Sequence, residues 1–237
     1  MSEIKIIRCP LIPAAHGFST RSGGVSAAPF DSLNLGGTED VQAHIDENRR
    51  RFIRALGFDP NRVARLHQVH GADVLIAKPG RQTGDALVTN ERGLALAVGA
   101  ADCYPLLFHD PVANVAGAAH AGWRGTLARI AKNTVEKMIT LGADAKNIRV
   151  AIGPGICRKN YEVSEEVIAQ FVAAGFPERC WTKRQLDLLE ANRFVLRESG
   201  ILAEHTWALD RCTTEADFFS YRRDKGRTGR MWGVIGL

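Results

Sequence analysis

Three short stretches place a metal-binding or nucleophilic side chain beside an apolar run. "RLHQVHGADV" carries His67 and His70, "GAADCYPLLFHDP" carries Asp102, Cys103 and His109, and "AAHAGWRGT" carries His120. One cysteine and two histidines without a fourth protein donor is the ligand count of a catalytic zinc site, which leaves one coordination position open; structural sites close the shell with four. The spacing is loose, 33 residues from His70 to Cys103 and 17 more to His120. The same atoms also make a Cys103–His120 dyad, a thiolate activated by imidazole, with Asp102 available to orient the base. A third alternative is structural, with Cys103 a small buried hydrophobe and the histidines hydrogen-bonded in place. On spacing alone the structural alternative is the strongest.

The elements around these residues explain why they can meet. "ADVLIA" (72–77), "LALAVGAA" (94–101) and "ANVAGAAH" (113–120) are short apolar runs bounded by turn formers, as buried strands are. "IRVAIGPGI" runs a strand into a Gly-Pro-Gly turn, and the terminal "MWGVIGL" reads as a last strand. Helices are expected over 39–56, ended by Gly57, over 126–141, ended by Gly142, and over 183–199, ended by Gly200. Another starts after Ser164, with Glu165 and Glu166 in its first turn. The stretch from Ser19 to Gly37 is dense in turn formers, and composition does not decide between a loose arm and an ordered loop. Strands and helices mix without strict βαβ alternation. The fold class is therefore α/β or α+β, a single domain over 1–237 with a mixed β-sheet core flanked by helices. The histidines and the cysteine fall at strand ends, where open α/β proteins place ligands.

Composition narrows the function classes. Of the 237 residues, 45% are hydrophobic and 24% charged, and the net charge is +5. That mild, scattered basic excess suits a small anionic ligand; the aromatic-plus-basic pattern of an RNA-binding sheet is absent, so no nucleic-acid partner is expected. No apolar run approaches the roughly 20 residues of a spanning helix, so no membrane role is expected. Five widely spaced cysteines without a CxxC predict free thiols in a reducing cytoplasm. Neither a dinucleotide fingerprint nor a P-loop is present.

Taken together, "HGFSTRSGGVS", "LNLG", "HQVHGADV", "GDALVT", "ADCYPLLFHDP", "AHAGWRGT", "IGPGICRKNYEV" and "CTTEADFFSYRRDKGRTGR" resemble, in consistent order, the laccase-domain (multicopper polyphenol oxidase) family, which includes purine nucleoside phosphorylases and the bacterial peptidoglycan-editing factor. The resemblance runs from His16 to Leu237. It implies a laccase-domain fold related to cysteine deamidase toxins, and one zinc, with copper as the alternative, on His70, Cys103 and His120. His67 is the competitor for the first position. Arg21, Asn34 and Arg124 become candidates for phosphate and sugar, each with a structural alternative: a solvated arginine, a turn cap and an internal salt bridge respectively. "GPGIC" offers backbone donors, with Cys157 packing, and Arg222 and Arg223 either line the pocket or stand in solvent.

The implied activity is phosphorolysis of purine nucleosides by a monomer or homodimer, with phosphate held by Arg21 or Arg124. Adenosine deamination is a second expectation, although the H-x-E and P-C-x-x-C signature of zinc deaminases is missing and Asp102 is the only candidate proton shuttle. Two rival activities are a peptidoglycan-precursor hydrolase using Cys103 and His120, and a copper-dependent polyphenol oxidase. The latter is weakened by the lack of any H-x-H pair for several coppers. A non-catalytic binding module is the third rival.

Overall fold

The structure is a computed structural model in which residues 3–36 and 39–237 are described; Gly37 of the glycine-rich stretch lies outside them. The expected mixed sheet is two six-stranded sheets. The first has the order β1 (Ile6–Ile7), β2 (His16–Ser19), β14 (Met231–Gly236), β7 (Ala95–Ala100), β3 (Val63–His67), β5 (Gly80–Thr83). The second has the order β13 (Thr206–Ala208), β10 (Arg149–Ile152), β8 (Tyr104–Asp110), β9 (Val115–Ala121), β6 (Ala86–Thr89), β4 (Val74–Ile76). Both are mixed: β3 runs parallel to β5 and β7, β4 to β6, and β10 to β13, while the remaining pairs are antiparallel.

Burial on alternate residues shows how the sheets are layered. Phe18, Leu96, Val98 and Ile235 of the first sheet share a core with Leu87, Leu107, Ala116, Ala118 and Ala151 of the second. The outer face of the first sheet, with Val63, Ala95, Ala97 and Val234, is covered by α1 (Gln42–Ala55) through Phe52 and Ile53. The outer face of the second is covered by α3 (Ile130–Ile139), α4 (Glu165–Ala173) and α5 (Leu188–Glu198). Strand β9 thus has apolar neighbours on both faces, which explains its small residues: a Cβ on Gly117 would stand 3.0 Å from Met138 Sδ.

Local chemistry accounts for the departures from expectation. The single helix expected over 126–141 is two, α2 (Trp123–Leu127) and α3, because Arg129 takes a left-handed conformation (φ 62°) between them. Its guanidinium covers Phe176, 3.9 Å from the ring centre, and donates to the Ala174 carbonyl. The helix expected from Lys183 starts only at Leu188. Trp181–Thr182 (β11) and Gln185–Leu186 (β12) form a hairpin first, and Asp187 caps the helix by accepting from the Glu190 N–H at 2.9 Å. The stretch following Ser19 is an ordered loop, with Phe30, Leu33 and Leu35 buried. The expectation of five free thiols is corrected: Cys157 and Cys212 are joined as a disulfide with Cα atoms 5.1 Å apart, leaving Cys9, Cys103 and Cys180 free. No helix of the described residues is long and apolar enough to cross a membrane.

Candidate metal centre

The chain crosses from the first sheet to the second three times, from β3 to β4, β5 to β6 and β7 to β8, and these crossings build the site. His70 follows β3, Asp85 links β5 to β6, Cys103 links β7 to β8, and His120 sits near the end of β9. The ligand atoms of His70, Cys103 and His120 lie within 4.8 Å of one another, and among the described residues this is the one group of three or more such side chains able to hold a metal ion. His70 stands at φ 59°, turned there by an aspartate outside the trio. Buried Asp85 accepts from the backbone N–H groups of Val69, His70 and Gly71 at 3.2, 3.0 and 2.7 Å, folding the "QVHG" turn around its carboxylate.

The same carboxylate accepts from His120 Nδ1 at 2.9 Å, and the Asp85 carbonyl accepts from the His120 N–H at 2.8 Å. Nδ1 is thereby occupied, leaving Nε2 for Cys103. Burial opposes ionisation of Asp85, but hydrogen bonds from His120 and the turn N–H groups outweigh it and hold the carboxyl below its ordinary range. For Cys103 burial likewise opposes the thiolate, and the charges and hydrogen bonds of His120 and His70 overcome it, bringing the thiol down to about 6. Burial would lower His120, yet the Cys103 charge and Asp85 raise it to about 9. Both shifts run towards a thiolate beside an imidazolium.

Gly122 provides the room for this pair. A Cβ there would lie 2.9 Å from Cys103 Sγ, closer than real side chains stand, and 3.1 Å from His70 Nδ1, tighter than most. The donor set fits a divalent metal of borderline softness: one thiolate, two imidazoles, and a carboxylate behind one imidazole fixing its orientation.

The other expected site residues distribute unevenly. Asp102 does not orient His120. It adopts φ 90°, and its carboxylate accepts from Thr213 Oγ1 at 2.6 Å and from the Arg222 N–H at 2.7 Å, tying the 213–222 loop beside Cys103. His67 stands outside the trio, against Arg81 at 2.9 Å. Arg21 is paired with Asp31 at 3.0 Å and lies over Phe219. Asn34 is fully buried and its amide is used within the chain: Nδ2 donates to Asp40, and Oδ1 accepts from the N–H groups of Gly36 and Arg230. Arg124 is exposed, stacks on Trp123 at 4.6 Å, and has no carboxylate partner among the described residues. Arg222 donates to the Glu162 carbonyl and covers Tyr161, while Arg223 pairs with Asp224, so neither is free in solvent.

Sequence reasoning did not single out Asp85, Gly122, Tyr161 or Arg230. Tyr161 feels the charges of Cys103, Arg222 and Arg124, and burial with the Cys103 thiolate pushes its hydroxyl well up. Burial lowers Arg230 while the negative charges of Cys103 and Asp102 oppose the shift, which places this guanidinium in the field of the trio. The sequence signal for Asp85 and Gly122 was present in "GDALVT" and "HAGWRG", but neither residue type announces its role.

A fold of two stacked mixed sheets with a His/Cys/His centre at their crossing defines the class, and the chain belongs to the family described as multi-copper polyphenol oxidoreductase laccase, whose model matches residues 15–237. It is 52% identical over 240 residues to a protein of Deinococcus radiodurans named purine nucleoside phosphorylase, covering 99% of this chain and 93% of that one. It is 41% identical over 231 residues to purine nucleoside phosphorylase YfiH of Escherichia coli, covering 92% of each. Among solved structures, YlmD from Geobacillus stearothermophilus superposes with a TM-score of 0.91 at 38% identity, over 96% of this chain and 93% of that one. The Bacillus licheniformis hypothetical protein YfiH gives 0.89 at 33% identity, over 94% and 92%.

Proposed function

We propose that the chain is a purine nucleoside phosphorylase acting on adenosine, inosine, guanosine or methylthioadenosine, with a metal held by His70, Cys103 and His120. The observation that carries the reading is the trio itself, with His120 oriented by Asp85 and with Arg124, Arg222 and Arg230 gathered around Cys103 and its neighbour Tyr161. Relatives named for this activity support the substrate class. Zinc matches one thiolate and two imidazoles, and when bound it supplies Lewis-acid polarisation of an oxygen.

The remaining chemistry belongs to the chain. In phosphorolysis the bond from the anomeric carbon to the purine breaks with its electron pair leaving on the base. A phosphate oxygen bonds to that carbon, and the departing base takes up a proton. Arg124, unpaired and exposed, is better placed to receive phosphate than Arg21, whose fork is spent on Asp31. The cationic surroundings stabilise charge as it develops. Asp102 acts as a positioning residue for the loop bearing Arg222; engaged in this way, it does not offer the proton shuttle that adenosine deamination would need. In this reading the enzyme works in the cytoplasm, as a monomer or homodimer.

One observation favours a second reading. A thiol brought down to about 6 beside a histidine raised to about 9 is the state of an activated nucleophile, as a Cys103–His120 peptidoglycan-precursor hydrolase requires. Copper on the same trio would hold a single ion. Incubating the purified protein with inosine or adenosine, with and without phosphate, tests the choice. Phosphate-dependent release of free base and ribose 1-phosphate is expected; phosphate-independent turnover together with cleavage of a muramyl-peptide precursor would move the assignment to the hydrolase.

A further inference from the structure

A second concentration of chemistry lies on the outer face of the first sheet. A cleft there is lined by Asp46, Arg49, Arg50, Arg65 and Trp232, none of them a candidate metal ligand. Arg49 comes from α1, Arg65 from β3, and Arg81 stands opposite Arg65 in the β3–β5 register. Burial, followed by repulsion from Arg65 and Arg81, draws the Arg49 guanidinium down to about 10.

Little within the protein compensates these charges. Arg49 donates through Nε to the Leu35 carbonyl at 2.8 Å, and its one carboxylate neighbour, Asp46, reaches it only at 3.4 Å and also accepts from Gln42, while Arg50 and Arg51 are taken up by Glu47. Arg81 contacts His67 alone, and Arg65 has no side-chain hydrogen bond or ion pair with any described residue. Trp232, 6% exposed, forms the rear wall with the Arg49 guanidinium over its ring at 5.3 Å. Arg49 and Arg65 line the cleft and Arg81 stands beside Arg65 in the strand register; like charges gathered this closely are costly unless an anion joins them.

We propose that this cleft binds a phosphate group, either free or as a sugar monoester. The choice of anion follows from the donors. The planar forks of Arg49 and Arg65 approach the cleft from separate elements, with Arg81 at its edge, and together they present more N–H groups than a carboxylate can accept, whereas a phosphate has oxygens for each. A broad polyanion is a poorer match, because the charges sit in a cleft against a buried indole. Strand β3 continues into the turn bearing His70, and Trp232 of β14 pairs with Gly99 on β7, the strand leading to Cys103, so the cleft and the trio share one strand and meet across a neighbouring pair.

The inference goes beyond the proposed reaction, and binding without nucleoside tests it apart from turnover. Calorimetric titration of the full chain at low salt would use inorganic phosphate in one arm and ribose 1-phosphate in the other. The proposed active centre would bind the same anions, so the cleft is supported by a saturable component that the arginine variants lose, and the arm in which that component is tighter identifies the source. Arg65→Gln should weaken binding at least tenfold, yet raise or preserve the melting temperature of the unliganded protein, because a like charge is removed. Arg81→Gln, on an exposed strand, should act in the same direction and decides the matter if the first variant folds poorly. Absence of binding in both arms, or binding unchanged in both arginine variants, would overturn the proposal.

Discussion

Asp85 joins the two sides of the His/Cys/His cluster: one of its oxygens accepts from His120 Nδ1 at 2.9 Å and from the His70 N–H at 3.0 Å. A single buried carboxylate thus fixes both the tautomer of one imidazole and the backbone turn that carries the other. Asp85→Asn puts an amide where four donors converge. Metal affinity should fall about 10- to 100-fold, as for other groups behind a ligand, read by competition with a chelator. An unchanged affinity in a folded variant would remove Asp85 from this role.

Gly122→Ala should act on the centre rather than on the fold. The added methyl meets Cys103 Sγ and His70 Nδ1 and little else. Activity and metal content should drop while the melting temperature stays close to the parent's; a large loss of stability with normal metal content would contradict this.

The metal-free centre should show an unusual pH response. Cys103, brought to about 6 from 9.0, on its own adds stability as pH rises from about 6 towards 9 and loses it as pH falls through 6. His120, raised to about 9 from 6.5, on its own contributes fully below 6.5 and loses its contribution as pH rises through 9. Between those limits the native pair holds one proton, on imidazole, and the unfolded pair also holds one, on sulfur. Stability should therefore be nearly flat there, while thiolate absorbance titrates near 6. A thiolate midpoint at the ordinary cysteine value would disprove the pairing.

Reducing the Cys157–Cys212 disulfide, or Cys157→Ser, should lower stability by about 4 kcal/mol in a chain-entropy view of a 55-residue separation. The effect should reach the site, because Thr213, next to Cys212, donates to Asp102 beside Cys103. Denaturant unfolding with and without reductant measures the first effect, and metal affinity under the same conditions measures the second. Coincident curves would show that the bridge carries no load.

Much of the site was legible because its chemistry is concentrated in rare side chains. His70, Cys103 and His120 stand beside apolar strand runs, and their motifs carried a family resemblance over nearly the whole chain. The strands of 94–101 and 113–120 were readable because buried strands are short apolar runs. What was hidden depends on tertiary context. Nothing local in "GDALVT" says that Asp85 accepts four hydrogen bonds, and alanine-rich strands do not reveal that they pack on both faces between two sheets. The helix break at Arg129 follows from its stacking on Phe176, some 47 residues away in sequence. Cys157 and Cys212 are likewise too far apart for spacing to pair them.

The most direct measurement of the central claim follows metal content and ribose 1-phosphate formation together, in the parent protein and in Cys103→Ala. The parent should hold about one metal per chain, as a site with an open position does, and release base from inosine only when phosphate is present. The variant should lose both properties while remaining folded. Metal and phosphate-dependent turnover retained without the thiol would contradict the assignment of His70, Cys103 and His120 as the working centre.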